Sequence, residues 1–364
     1  MKICLIGNSG IKSNDKGGQT TKLRLYKKII IDEGFDLFFV DLENFFYHPL
    51  YILRKIKKGI KECDRVVLVS GERACKLLIP YINKYKLKYR KIFVLPLIGI
   101  SVLHYSLKKM SDYDVYKFFT CGNNITLNET KIRNELRKID CILPETVPLL
   151  KAFKYLYKLN NCFLLENFRE LPLLDTNSSF DGYVLKIIYL SRVIEKKGIL
   201  DLLLSLKMLS INYNFSLDIF GVEELNKDDK SLFYSLLNDS IEYKGSIDDS
   251  VVVNVLSSYD LLVFPTKYIG EGTPGVISES LIAGTPILTS NFPNAPYLLK
   301  DGYDSIFYEM FNVEDLKAKL EWCINNKDKI RAMRKNCLES SKKFTYEYNR
   351  KDFLKYVCGV EDEK

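Results

Sequence analysis

The chain has 364 residues, of which 47% are hydrophobic and 27% charged, with a formal net charge of +8; this is the make-up of a globular protein of about two domains, and it excludes a disordered or fibrous chain. Two histidines, and nine cysteines with no Cys-x-x-Cys pair, argue against a zinc site or a histidine-rich catalytic centre and mark the thiols as buried and reduced. The charge is uneven: residues 51–100 carry thirteen Lys/Arg against three Asp/Glu, whereas the chain from 151 onward is net negative, so one surface of the first half is expected to meet an anionic partner.

The chain opens with the apolar run Lys2–Ile6 and then Gly7-Asn8-Ser9-Gly10, without the long apolar region or cleavage site of a signal peptide. The longest apolar stretch, Ile92–Leu103, is too short to cross a bilayer. A cytoplasmic protein is expected, at most peripheral at the inner face of the cell membrane. Strands are predicted at Lys2–Ile6, Phe35–Val40, Arg65–Ser70, Lys91–Leu97, Asp140–Leu143 and Cys162–Leu165, with helices such as Thr20–Glu33 and Leu50–Glu62 between them. Most of these runs are apolar without alternation, as strands covered on both faces of a parallel sheet are. This βαβ order predicts a doubly wound α/β domain.

Gly17-Gly18-Gln19-Thr20 precedes the first helix; two glycines permit positive φ and close backbone approach, and a plain flexible turn fits equally. Gly7-Asn8-Ser9-Gly10 is no Gly-x-Gly-x-x-Gly, which excludes a dinucleotide oxidoreductase of the usual kind. Residues 47–61 interleave aromatic, aliphatic and basic side chains at helical spacing, residues 76–91 are again basic, and both segments are candidates for peripheral contact with an anionic membrane. Two readings stay open for 47–61: an amphipathic helix lying on an anionic membrane, or a crossover helix whose apolar face packs on its own sheet. No nucleic-acid-binding motif accompanies the charge, so nucleic acid is not an expected partner.

Segment 166–183, with Pro, Asn, Ser, Asp and Gly, reads as an interdomain linker. The second half repeats the alternation, with strands predicted at Leu185–Leu190, Phe215–Phe220, Ile241–Lys244, Leu261–Phe264, Pro286–Thr289 and Ser305–Tyr308. The expected organisation is an N-terminal domain over 1–170, a second over 171–343, and a C-terminal helix over 344–364 returning to the first. Two Rossmann-like domains facing each other across a cleft is the predicted fold.

Two stretches of the second half carry chemistry. After Leu185–Leu190 comes Ser191-Arg192-Val193-Ile194-Glu195-Lys196-Lys197-Gly198, then the apolar helix Ile199–Leu209. Arg192 and Lys197 at a strand-to-helix turn can neutralise two phosphates, Arg bidentately. After Leu261–Phe264 comes a Gly-rich loop with Glu271 and Gly272, then a predicted helix start with Thr273 as N-cap and Pro274 at the first helical position. The free N–H groups and positive dipole end at Gly275 and Val276 suit phosphate or sugar oxygens. Glu271 can accept from hydroxyls, and Glu279 can grip a ribose diol; read alone, both glutamates also fit solvated charges.

The string Glu271-Gly272-Thr273-Pro274-Gly275 with Glu279-Ser280, followed by Ala283-Gly284-Thr285-Pro286, resembles the Glu-x7-Glu signature of retaining family 4 glycosyltransferases of the GT-B superfamily. Ser280 stands where that family has alanine. The Arg192–Gly198 stretch is similar to the family's Arg-x4-Lys-Gly. The resemblance covers about 184–345 and implies a metal-independent transferase of polysaccharide-assembly type. It would take a nucleoside-diphosphate sugar as co-substrate and a glycan or lipid-linked acceptor, and use no cofactor. It makes Glu271, Arg192 and Lys197 the catalytic group, and Glu279, Gly272, Thr273, Pro274, Gly275 and Val276 the donor-binding one. Gly221 would border the nucleotide, Ser246 and Ile247 would frame its base, and Gly17 and Gly18 would approach from the first domain. Gly99 fits a family glycine near the anomeric carbon, while His104 lies too far on, leaving a general acid/base unassigned. Asp112-Tyr113-Asp114 reads as a turn, as does Asp301-Gly302. Glu145 and Asn167-Phe168-Arg169-Glu170 match stretches that close the first domain in polysaccharide-assembly members of the family, which leaves Asn167 and Arg169 either facing the cleft near the hinge or, the better fit, structural. An epimerase, a phosphorylase or a non-catalytic sugar-nucleotide binder on the same fold is the alternative.

Overall fold

The computed structural model describes residues 1–11, 18–97, 130–155, 158–170 and 182–360. The expectations on Gly17, Gly99, His104 and Asp112–Asp114 therefore lie outside the described residues. The chain forms two compact units, Met1–Asn167 with Glu347–Lys364, and Phe168–Tyr346.

In the first unit β1 (Lys2–Gly7), β2 (Asp36–Asp41), β3 (Arg65–Val69), β4 (Ile92–Leu97) and β5 (Cys141–Pro144) pair in the order β2-β1-β3-β4-β5. Every pairing is parallel. Ile3 to Ile6 and Val66 to Val69 are fully buried, which is why these runs are apolar without alternation. The predicted strand Cys162–Leu165 is not one: only Cys162 forms a bridge, to Ile142, with Phe163 N–H donating to Ile142 O at 3.0 Å and Leu165 N–H to Pro144 O at 3.1 Å. It runs along β5 at the sheet edge through these bonds without forming a strand of its own.

Helix Pro49–Glu62 starts on proline, whose missing N–H costs nothing there. Ile52, Ile56 and Ile60 are buried, and a Cβ on Gly59 would sit 2.5 Å from Cys4 Sγ of β1. Of the two readings of 47–61, the crossover helix is the one observed: the apolar face lies on its own sheet. Phe46, Tyr47, Leu50 and Tyr51 at its start remain exposed, as do Arg54, Lys57, Lys58 and Lys61 along it. The C-terminal segment, helical over Tyr346–Phe353, is held within this unit by Phe353 edge-on to Tyr26 at 4.8 Å, by Arg350 to Glu33 at 2.7 Å, and by Arg65 Nη1 donating to Tyr356 O at 2.9 Å.

The second unit holds β6 (Leu185–Leu190), β7 (Phe215–Phe220), β8 (Ile241–Gly245), β9 (Leu261–Phe264), β10 (Ile287–Ser290) and β11 (Ser305–Tyr308), all parallel, in the order β11-β10-β9-β6-β7-β8. Helix Ile199–Leu209 is apolar on most of its surface because it is covered by the sheet and by helix Val313–Asn325. From β6 the chain moves outward to β7 and β8, then crosses back to β9 on the other side. At such a reversal the loops leaving β6 and β9 diverge and leave a crevice at the carboxyl edge of the sheet, where ligands of open α/β sheets bind.

One expectation at this edge is corrected. The helix after β9 runs Gly275–Ile282, with Pro274 as N-cap at φ −58° and ψ 130°, not Thr273. Ile277 N–H donates to Pro274 O at 3.1 Å, so the proline carbonyl accepts the first turn's bond and the proline itself stays extended.

Candidate functional site

The loops leaving β6 and β9 are stapled to one another. Gly198, at φ +71°, lies so close to the second loop that a Cβ there would fall 1.9 Å from Pro265 O. Lys267 N–H donates to Lys196 O at 2.9 Å, and Lys267 Nζ reaches Glu195 at 2.5 Å and Asp201 at 3.0 Å. Inside this staple Lys197 pairs with Oε1 of Glu271, the two side chains only 11% and 8% exposed. Thr266 Oγ1 donates to the same oxygen at 2.8 Å, and Asn294 Nδ2 donates to the Glu271 backbone carbonyl. Lys197 Nζ also stands 5.2 Å from the centre of the Phe264 ring. Glu271 is thus held at one carboxylate oxygen and at its backbone, which fixes where the rest of the carboxylate points.

Arg192 is not part of this pair. Its side chain is exposed and meets Glu224 at 3.6 Å. The cause is the backbone: the loop after β6 continues to pair with the loop after β7, with Ser191 N–H to Phe220 O at 3.1 Å and Val193 N–H to Val222 O at 2.8 Å. That extension leaves Arg192 beside the second loop. Gly221 makes the extension possible, because at φ +142° a Cβ there would lie 1.8 Å from Ser191 O. Its carbonyl accepts from Tyr243 Oη at 2.8 Å. Gly221→Ala is expected to cost more than about 1 kcal/mol, since the substitution meets both an unfavourable φ and a backbone atom, and to lower Tm in a thermal melt. Beyond β8, Ser246 is exposed and Ile247 half-buried.

The helix after β9 supplies the third part. Thr273 is buried, and Gly272, Pro274, Gly275 and Val276 are half-buried around the helix start. A helix leaves its first N–H groups without intrahelical partners, so Gly275 and Val276 offer donors and a positive dipole end. Glu279 lies one turn in, its carboxyl 3.4 Å from Arg169 Nε. Burial pushes the Glu279 carboxyl above the usual carboxylate range, and Arg169 pulls it back. Gly18 opens helix Gly18–Asp32 of the first unit and is exposed. Glu145 forms a buried pair with Lys22 at 3.5 Å in that unit. The Asp301-Gly302 stretch is a turn, with Gly302 at φ +72°.

Thr266, Lys267 and Asn294, absent from the expected site, hold Glu271 and the two loops in place. Thr266 was findable as the first hydroxyl after the strand; Lys267 and Asn294 sit in no recognisable pattern. Among the described residues no group of three His, Cys, Asp or Glu side chains is placed to hold a metal ion, and no helix is long and apolar enough to cross a membrane.

Comparison with known proteins agrees with this geometry. Residues 177–343 match the family model described as "Glycosyl transferases group 1". An uncharacterized glycosyltransferase of Methanocaldococcus jannaschii is 27% identical over 173 residues, 48% of this chain and 46% of that protein, so the match spans about half the relative's length. Among solved structures, HepE of Anabaena, crystallised with UDP, superposes with a TM-score of 0.73 at 14% identity, over 99% of this chain and 100% of that one. Sucrose-phosphate synthase of Thermosynechococcus elongatus gives 0.71 at 15% identity, over 98% of each chain. At these identities the likeness establishes the fold, two parallel Rossmann-like sheets of GT-B type. The Lys197–Glu271 pair and the glycine-led helix fall within the segment that matches the glycosyl transferases group 1 model, on a chain with the GT-B fold.

Proposed function

We propose that the protein is a retaining glycosyltransferase of family 4 type, moving a sugar from a nucleoside-diphosphate sugar to a hydroxyl of a glycan or lipid-linked acceptor in bacterial surface polysaccharide synthesis. The observation that carries this reading is the Lys197–Glu271 pair held beside a glycine-led helix start at the reversal of the sheet. When the bond from the anomeric carbon to the diphosphate breaks, negative charge builds on the leaving oxygen. Lys197 and the N–H groups of Gly275 and Val276 stand on the same edge to meet it, already oriented and partly shielded from water. Arg192 would turn from Glu224 to the distal phosphate, a small rearrangement for an exposed side chain. Glu271 would orient the sugar hydroxyls and Glu279 the ribose diol. These groups supply the charge neutralisation a metal would otherwise provide, so the reaction is metal-independent and needs no protein nucleophile.

UDP is the first donor nucleotide to try, because HepE has been solved with UDP and with UDP-glucose. The test incubates the protein with UDP- and GDP-sugars and an acceptor panel, and reads the anomeric configuration of the product by NMR, with and without a chelator. Retention and chelator-resistant turnover support the reading. Inversion, or nucleotide release that ignores every acceptor, sinks it.

Peripheral membrane contact belongs to the same proposal. Phe46, Tyr47, Leu50 and Tyr51 project beside exposed Arg54, Lys57, Lys58 and Lys61, so insertion would use the helix start and attraction its outer face. At about 1 kcal/mol per basic residue near an anionic surface, reversing Lys57, Lys58 and Lys61 to Glu is expected to remove most co-sedimentation with phosphatidylglycerol vesicles. Equal sedimentation with phosphatidylcholine vesicles would exclude the electrostatic part.

A further inference from the structure

Arg169 precedes every strand of the second sheet in the chain, yet its side chain lies at the heart of that unit's candidate site. Its backbone is fixed by a parallel bridge to Thr345: Arg169 N–H donates to Phe344 O at 2.8 Å and Tyr346 N–H donates to Arg169 O at 3.0 Å. The neighbouring Phe168 is buried and packs on Tyr346, ring centres 5.7 Å apart. From this anchor the guanidinium reaches the first turn of helix Gly275–Ile282. Nη1 donates to Phe168 O at 3.2 Å and Nε faces Glu279 Oε1 at 3.4 Å. Nη2 occupies space that any side chain at 275 would fill: a Cβ on Gly275 would lie 2.5 Å from it.

This placement is electrostatically unusual. A cation over a helix N-terminus is repelled by the positive dipole end, and cations are normally favoured at the opposite end. What offsets the repulsion is Glu279, one turn further in. A fixed backbone, a glycine that leaves room, and a carboxylate oxygen facing the guanidinium together describe a clamp on Glu279.

We propose that Arg169 is a positioning residue of the nucleotide site, whose guanidinium holds one oxygen of Glu279 so that the other is presented to the ribose hydroxyls. This rests on the reading of Glu279 as the ribose-binding carboxylate. Arg169 also favours the charged form of that carboxylate. Burial raises the Glu279 carboxyl, Asp249 raises it further, and Arg169 is the cation opposing both. A carboxylate accepts from both hydroxyls of a diol, whereas its protonated form has a donor in the way. Nucleotide affinity carried by Glu279 is therefore full above its pKa and is lost as pH falls through it. Removing Arg169 moves that loss to higher pH.

The experiment titrates UDP and GDP into the full chain by calorimetry across a pH series, for the wild type and for Arg169→Lys, Arg169→Gln and Glu279→Gln. Expected is a loss of affinity on acidification whose midpoint rises from wild type to Arg169→Lys to Arg169→Gln, with binding about tenfold weaker for each step of one in pH below the midpoint, and no such midpoint in Glu279→Gln. A uniform loss at every pH in Arg169→Gln, or none, overturns the clamp while leaving the nucleotide site intact. If the wild type binds neither nucleotide, the transferase reading falls first and this inference falls with it.

Discussion

Lys197→Ala is expected to reduce glycosyl transfer by about 10²–10³-fold, the loss typical of removing one preorganised group that stabilises transition-state charge. The same change should destabilise the fold, because it leaves the Glu271 carboxylate, 8% exposed, with the Thr266 hydroxyl but without its counter-ion. Breaking a buried pair from one side costs about 3–5 kcal/mol, whereas removing both partners can be close to neutral. Stability and catalysis can therefore be separated. The double variant Lys197→Ala/Glu271→Ala should recover most of the lost Tm and none of the lost turnover. If the double variant regains activity along with stability, neither side chain acts on the substrate, and the charge-stabilising role of Lys197 and the sugar-orienting role of Glu271 both fail.

The second large effect concerns Glu279. In a thermal melt a nucleoside diphosphate at one hundred times its Kd should add about 2.7 kcal/mol to the stability of the native protein. Glu279→Ala should abolish that gain at the same concentration. Two hydrogen bonds to a charged acceptor are each worth about 1.5–3 kcal/mol, which corresponds to roughly 10²–10⁴-fold in Kd. Without ligand the variant should melt below the wild type, since Arg169, 13% exposed, loses the carboxylate that offsets its place at the helix start, so the ligand shift is read against the variant's own melt. An undiminished shift with UDP and GDP in Glu279→Ala would mean that the ribose lies elsewhere.

Much of this site could be read from residues in order. Leu185–Leu190 and Leu261–Phe264 are strands with the predicted bounds, because each is an apolar run that ends at polar or glycine-rich chain. The helix Ile199–Leu209 likewise has its predicted extent, stopped by Ser210 after a run that is apolar except at Asp201, Ser205 and Lys207. The helix after β9 was legible in existence and misplaced in its first residue, since proline's fixed φ suits both a helix and the extended cap it adopts here. Cys162–Leu165 was apolar enough for a strand, but it meets β5 through a single bridge at Cys162, and pairing across a sheet is not a local property.

The partners of the charged groups were not legible. Lys197 and Glu271 are 74 residues apart, and Arg169 and Glu279 are 110 apart. The first meeting depends on the strand order β11-β10-β9-β6-β7-β8, which puts the loops after β6 and β9 side by side, and the second on the bridge that ties Arg169 to Thr345. The same cause separates Arg192 from Lys197: pairing with the β7 loop claims the backbone at Ser191 and Val193 and takes Arg192 with it. The membrane question was also settled at this level for the apolar face, since Ile52, Ile56 and Ile60 fit a bilayer or a sheet equally well until the sheet is seen to cover them.

Composition, apolar periodicity and glycine placement by themselves determined that this protein alternates strands and helices in two halves, and that charged, glycine-containing turns follow β6 and β9. Those are local properties, set by which backbone conformations and which faces a short segment can satisfy. Only the tertiary structure decided which cation meets which carboxylate, because an ion pair depends on distance in space, and strand order, not chain order, sets that distance.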